Sequence, residues 1–127
     1  LQRELHDLVP AKHRKFLEAM EDIVIAGDYV FVHAGINPKH SIEDQKRSDL
    51  RWIRDRFLKH REPFSHVVVH GHTIFENLEH TPYRIGIDTG AFRTGNLTAL
   101  VLEGDQRRII QARERDGSIT VEHDEFA

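Results

Sequence analysis

Apolar positions come in short blocks along this chain, and two of the blocks end in histidine and glycine. Tyr29-Val30-Phe31-Val32 is apolar at every position and runs into His33-Ala34-Gly35. Val67-Val68-Val69 runs in the same way into His70-Gly71-His72-Thr73. An uninterrupted apolar run of this length predicts a strand covered on both sides. Elsewhere the period is helical. Phe16, Leu17, Met20 and Ile23 recur at i, i+3 or i+4, which predicts a helix over Lys12–Ile25, opened by Pro10 and broken by Gly27-Asp28. Leu50, Ile53, Phe57 and Leu58 fall on one side of a second helix, with Ser48-Asp49 as its cap and Glu62-Pro63 as its end.

The remaining segments are shorter. Residues 1–9 carry Leu1, Leu5 and Leu8 at helical spacing and predict a short helix or linker. Gly35-Ile36-Asn37-Pro38 predicts a turn, Ser41–Arg47 a loop or short helix, and Ile74–Thr81 a connecting loop. Tyr83–Asp88 is a third strand closed by Thr89-Gly90-Ala91, and Leu97–Glu103 a fourth. Gly104-Asp105 reads as a hairpin turn, followed by weaker strands at Arg107–Arg113 and Ile119–Val121 around Asp116-Gly117. The tail from Glu122 is expected to fray.

Composition narrows the chemistry. At 127 residues the chain makes one domain or part of one. The start, Leu1-Gln2-Arg3-Glu4, has neither the layout of a signal peptide nor an initiating Met, so the chain reads as a piece of something longer. No apolar run approaches the roughly 18–20 residues that cross a bilayer. With no cysteine, disulfides, thiolate metal sites and a cysteine nucleophile are excluded, and a cytoplasmic location is expected. Any metal would be held by nitrogen and oxygen, which favours Mn, Fe, Zn or Mg. A net charge of −3 lacks the basic excess of broad nucleic-acid binding, so neither nucleic acid nor membrane is an expected partner. Ten histidines make a metal plausible without locating it.

The strand ends locate it better. A turn after a buried strand can aim an imidazole nitrogen at an ion, and a neighbouring glycine allows close backbone approach. His33 is one such residue; the plainer alternative is a hydrogen-bonded histidine at a strand end. In His70-Gly71-His72 one ring can bind metal while the other supports it, with His72, further into the turn, preferred as ligand. Arg51 and Arg54, three apart on a helix, offer forked donors for a phosphate; a solvated basic face is the alternative. Trp52 reads as packing. Asp88 can orient a ligand histidine or simply cap its turn. His6, His13, His40, His60, His66, His80 and His123 read as surface residues.

Four segments in this order resemble the calcineurin-like metallophosphoesterases, and within them the bacterial branch of the phosphoprotein (Ser/Thr) phosphatases. They are Gly27–Ile36, Asp49–Arg54, Val67–Thr73 and Ile85–Ala91, followed by Leu97-Thr98-Ala99-Leu100. The resemblance spans about Pro10 to Gly104. It implies His33 and His72 as ligands of one metal ion and Arg54 as the arginine that grips the substrate phosphate. His70 and Asp88 remain candidates for supporting the ligands. Thr73-Ile74 stands where phosphodiesterase branches place a further histidine, which points to the protein-phosphatase branch.

The family's Asp-x-His pair, bridging Asp and Asn-His pair have no counterpart here. Residues 1–127 therefore read as the C-terminal part of a single metallophosphoesterase domain, dependent on a missing N-terminal half. The implied fold is a partial four-layer α/β/β/α sandwich, with one sheet and a few helices present. The implied activity is hydrolysis of a phosphorylated protein or small phosphoester by a metal-bridged hydroxide at a site of two divalent ions (Mn, Fe or Zn), this chain supplying ligands mainly to one. A symmetrical dinucleoside polyphosphate hydrolase and a non-catalytic interaction fragment are the alternatives.

Overall fold

The β-branched run at Ile23–Ala26 pairs antiparallel with Tyr29–Val32 across a tight turn at Gly27-Asp28, and this hairpin (β1 and β2) begins the central sheet. The computed structural model describes residues 8–126. Most of the predicted 1–9 segment lies outside them. The helix expected over Lys12–Ile25 stops early: α1 spans Ala11–Glu18, and its last predicted turn is β1 instead. Three consecutive β-branched residues, Ile23-Val24-Ile25, favour a strand, and a partner strand beyond the turn settles the competition. Phe16, Leu17 and Met20 are exposed, so the periodic face of α1 covers no core.

From β2 the chain crosses to β3 (Val67–His70), which pairs with β2 in parallel. The crossover holds a 3-10 turn at Ile42–Asp44 and two short helices, α2 (Arg47–Trp52) and α3 (Asp55–Leu58). The single helix expected here is broken at Ile53-Arg54, and Lys46 rather than Ser48-Asp49 precedes its first turn. Asp49 instead accepts a hydrogen bond from Asn37 Nδ2 at 2.8 Å, fixing the loop after β2. The apolar positions still share one purpose. Leu50, Ile53 and Phe57 pack with Val30, Val32, Ala34, Ile36, Ile42 and Val68 as the core on one face of the sheet.

β4 (Glu79–Thr81) forms within the segment expected to be loop, and pairs antiparallel with β5 (Arg84–Gly86), which lies parallel to β3. The order is β1-β2-β3-β5-β4. Arg84 is buried and its guanidinium pairs with Glu79, with a further bond from Nη2 to the Leu58 carbonyl at 3.3 Å.

A short helix, α4 (Ala91–Thr94), leads into a three-stranded antiparallel sheet, β6 (Asn96–Glu103), β7 (Gln106–Arg115) and β8 (Ser118–Glu125). The last two strands are longer than expected, and residues 122–125 are paired with β7 rather than frayed. Cross-strand pairing holds them, including Arg113 beside Glu122 at 3.3 Å. The sheets meet through Arg107, which donates to the Tyr29 hydroxyl at 3.0 Å, and through buried Thr89 and Thr98, 2.9 Å apart. The architecture is mixed α/β, with two sheets and few helices. No helix among the described residues is long and apolar enough to cross a membrane.

Candidate functional site

The parallel register of β2 and β3 builds the site. Phe31 is level with Val69, so the residues just past each strand end also fall side by side. The Gly71 amide donates to the His33 carbonyl at 2.9 Å and zips the two turns together. Two imidazoles 39 positions apart in sequence thereby converge: His33 Nε2 lies 3.2 Å from His72 Nδ1, with ring centres 5.0 Å apart. Two nitrogens each about 2.1 Å from one ion, at a bond angle of about 90–110°, stand about 3.0–3.4 Å apart. In this structure the contact is a hydrogen bond between the two rings, whose donor depends on the tautomer, and the same nitrogen spacing is that of two ligands on one edge of a coordination polyhedron.

His72 reaches this position with φ of 65°, a left-handed conformation uncommon outside glycine. Burial holds its ring below the ordinary histidine pKa, assisted by the Arg54 guanidinium and by His33, while Asp88 pulls the other way. A neutral ring keeps its lone pair, which is the form that ligates metal. The edge of Trp52 meets the His72 ring at 90°, with centres 5.6 Å apart. Trp52 is 72% exposed, so it is not the packing residue its apolar character suggested.

His70 does something different. It is the last residue of β3, buried edge-on against Phe57, with Nδ1 3.3 Å from the Gly71 carbonyl and Nε2 without a partner. Burial drives its pKa to about 4; the Gly71 carbonyl opposes this, Arg84 reinforces it, and Glu79 opposes it. It supports the turn from below and does not join His33 and His72.

The arginines separate. Arg51 does not share a helical face with Arg54: it is tied to Asp22 by bonds of 2.7 and 2.6 Å, and Arg47 binds the same carboxylate at 2.6 Å. Arg54 sits between α2 and α3 with non-helical backbone angles, and its Nη1 donates to Thr73 Oγ1 at 3.1 Å beside the His72 carbonyl. The Arg54 charge is near enough to the His72 ring to lower its pKa. Thr73, which anchors Arg54, had no visible role in the sequence because its partner comes from another turn. Asp88 caps its own turn, accepting from the Gly90 amide at 3.0 Å, and lies close to Gly71. Of the remaining histidines, His13, His80 and His123 are exposed, while His40, His60 and His66 are half-buried, His60 against Phe64. His6 lies outside the described residues.

His33, His72 and Asp88 line the wall of a groove of about 750 Å³ whose apolar lining includes Leu17, Met20, Val24, Phe31 and Val69. Among the described residues, no group of three or more His, Cys, Asp or Glu side chains is placed to hold a metal ion. No protein-family model, curated protein or solved structure matches this chain.

Proposed function

We propose that this chain carries part of a metal-dependent phosphoester-hydrolysing site, with His33 and His72 as two ligands of one divalent ion and Arg54 as the phosphate clamp. The observation that supports this reading is the 3.2 Å approach of two imidazole nitrogens from adjacent strand ends, with an arginine fixed on the same turn. The donor set of two neutral-capable imidazoles suits Mn, Fe or Zn. When bound, such an ion supplies Lewis-acid polarisation and water of lowered pKa.

This chain's own residues would do the rest of the positioning. Gly71 and Thr73 hold the two turns and the guanidinium in place. Arg54 meets phosphoryl oxygens with forked donors and offsets the charge that develops on them. In this reading the fold is part of a four-layer α/β/β/α sandwich of the calcineurin-like type, and the other metal ligands come from polypeptide outside residues 1–127. A phosphorylated protein or small phosphoester is the proposed substrate class.

A second reading has its own support. Two imidazoles without a third ligand make a weak site, so the chain alone is a non-catalytic fragment or interaction module. Hydrolysis of an aryl phosphate with added Mn²⁺ separates the readings. Turnover that disappears in Arg54→Ala and His72→Ala supports a catalytic chain. Saturable Mn²⁺ binding through both histidines without turnover supports a partial site, and no binding at all contradicts the proposal. For an active form, a phosphopeptide against a dinucleoside polyphosphate then distinguishes the substrate classes.

A further inference from the structure

A second recess, of about 550 Å³, lies where three separate chain segments meet: the loop at Glu76-Asn77, α4 with its exit to Asn96, and the end of β7. Gly95 makes the junction possible. Its φ is +70°, and a Cβ there would stand 2.8 Å from the Glu114 carbonyl oxygen, while the Glu114 amide donates to the Gly95 carbonyl at 2.8 Å. Arg93 on α4 and Arg113 and Arg115 on β7 line the same recess.

The three guanidiniums are not equivalent. Arg113 is already engaged, by Gln111 at 2.9 Å and Glu122 at 3.3 Å. The side chains of Arg93 and Arg115 have no hydrogen-bond or ion-pair partner among the described residues, and neither does Glu76. Glu114 accepts from the Gly117 amide at 2.8 Å through Oε1 and keeps its charge and its second oxygen at the rim of the recess. Two free forked donors, the free carboxylate of Glu76 and the half-engaged one of Glu114 therefore line one recess. Guanidiniums favour an oxyanion, whereas a carboxylate beside it repels a bare anion and accepts a hydrogen bond from one that carries a proton.

We propose that this recess binds inorganic hydrogen phosphate, gripped by Arg93 and Arg115 with its P–OH donated to Glu76. Sulfate has no such proton at neutral pH. A phosphomonoester above its second pKa of about 6 is largely a dianion and lacks it too. The site is independent of the His33–His72 pair and of the phosphoesterase reading.

The test is a titration of the full chain followed through its arginine Nε–H resonances at about pH 7.5. Inorganic phosphate should shift Arg93 and Arg115 saturably, on the order of 1 mM, with sulfate and phenyl phosphate at least about tenfold weaker. Arg54→Ala should leave these shifts intact. Arg93→Ala/Arg115→Ala should abolish binding while the amide spectrum stays dispersed, and Glu76→Gln should erase the preference over sulfate. A linear, unsaturable response, or sulfate binding as tightly as phosphate to the unaltered chain, would overturn the assignment.

Discussion

At the scale of single residues, what matters is which histidine does what. His33 and His72 stood out in sequence because each follows an apolar run, where imidazole has no packing use. Which of His70 and His72 would face His33 depended on the backbone, since a left-handed residue reverses the side chain's direction. That conformation costs a non-glycine residue about 1–2 kcal/mol, and asparagine tolerates it best. His72→Asn should therefore leave unfolding free energy unchanged or raise it by up to about 1 kcal/mol in denaturant titrations, while weakening Zn²⁺ binding at least about tenfold in calorimetry. Loss of both stability and binding would mean that His72 is a packing residue.

His70 makes a pH prediction. Its folded pKa is about 4 against an ordinary 6.5, so between these values the unfolded chain holds more protons than the folded one. The stability this ring contributes is full above pH 6.5 and is lost as pH falls through about 4, amounting to roughly 3 kcal/mol. His70→Leu should flatten that part of the stability profile measured by urea unfolding across the range. An unchanged slope would place the acid sensitivity elsewhere. Asp88 and Arg51 show the limit of reading residues singly: Asp88 caps its own turn through the Gly90 amide and also lines the groove beside His72, while Arg51 lines that groove with its guanidinium tied to Asp22.

At the scale of elements, the parallel register of β2 and β3 converts two local patterns into one site. Both strands were legible, since an apolar run bounded by polar residues and a glycine has few other uses. Their pairing was not, because nothing in either run specifies its neighbour. The overextended first helix failed for a related reason: helical spacing through Ile23 was accidental, and β1 exists through its hydrogen bonds to β2. Gly35 holds the exit of β2 with φ of +148°, and a Cβ there would lie 2.3 Å from the Phe57 ring. Gly35→Ala should thus cost about 1–3 kcal/mol or more by thermal or urea unfolding. A neutral outcome would mean that the β2–α3 contact is looser than its geometry. The pair of buried Arg84 and part-exposed Glu79 joins β5 to β4. Glu79→Ala, which strands a buried guanidinium, should cost about 3–5 kcal/mol, whereas Arg84→Met with Glu79→Leu should recover most of that loss.

At the scale of the whole molecule, two surfaces carry groups of exposed large apolar side chains. One is the groove side, where Leu17, Met20, Val24 and Trp52 are exposed; the other is the outer sheet, with Leu97, Ile119 and Val121. Contiguous apolar surface promotes association. Light scattering at increasing protein concentration should show a growing apparent mass, and a constant monomer mass would contradict this. Mixed α/β architecture was legible from the alternation of strand and helix patterns. The junctions between sheets were not, because Arg107 on Tyr29 and Thr89 on Thr98 join residues with no apolar signature.

In the proposed site His33 Nε2 and His72 Nδ1 hold one ion together. Nitrogen-15 NMR of the imidazoles during Zn²⁺ titration tests it most directly. These two nitrogens should shift together at a common stoichiometry of about one, with His70 unligated, and His33→Asn should abolish the His72 shift as well. Independent shifts with different affinities, or a response at His70 in place of either, would contradict it.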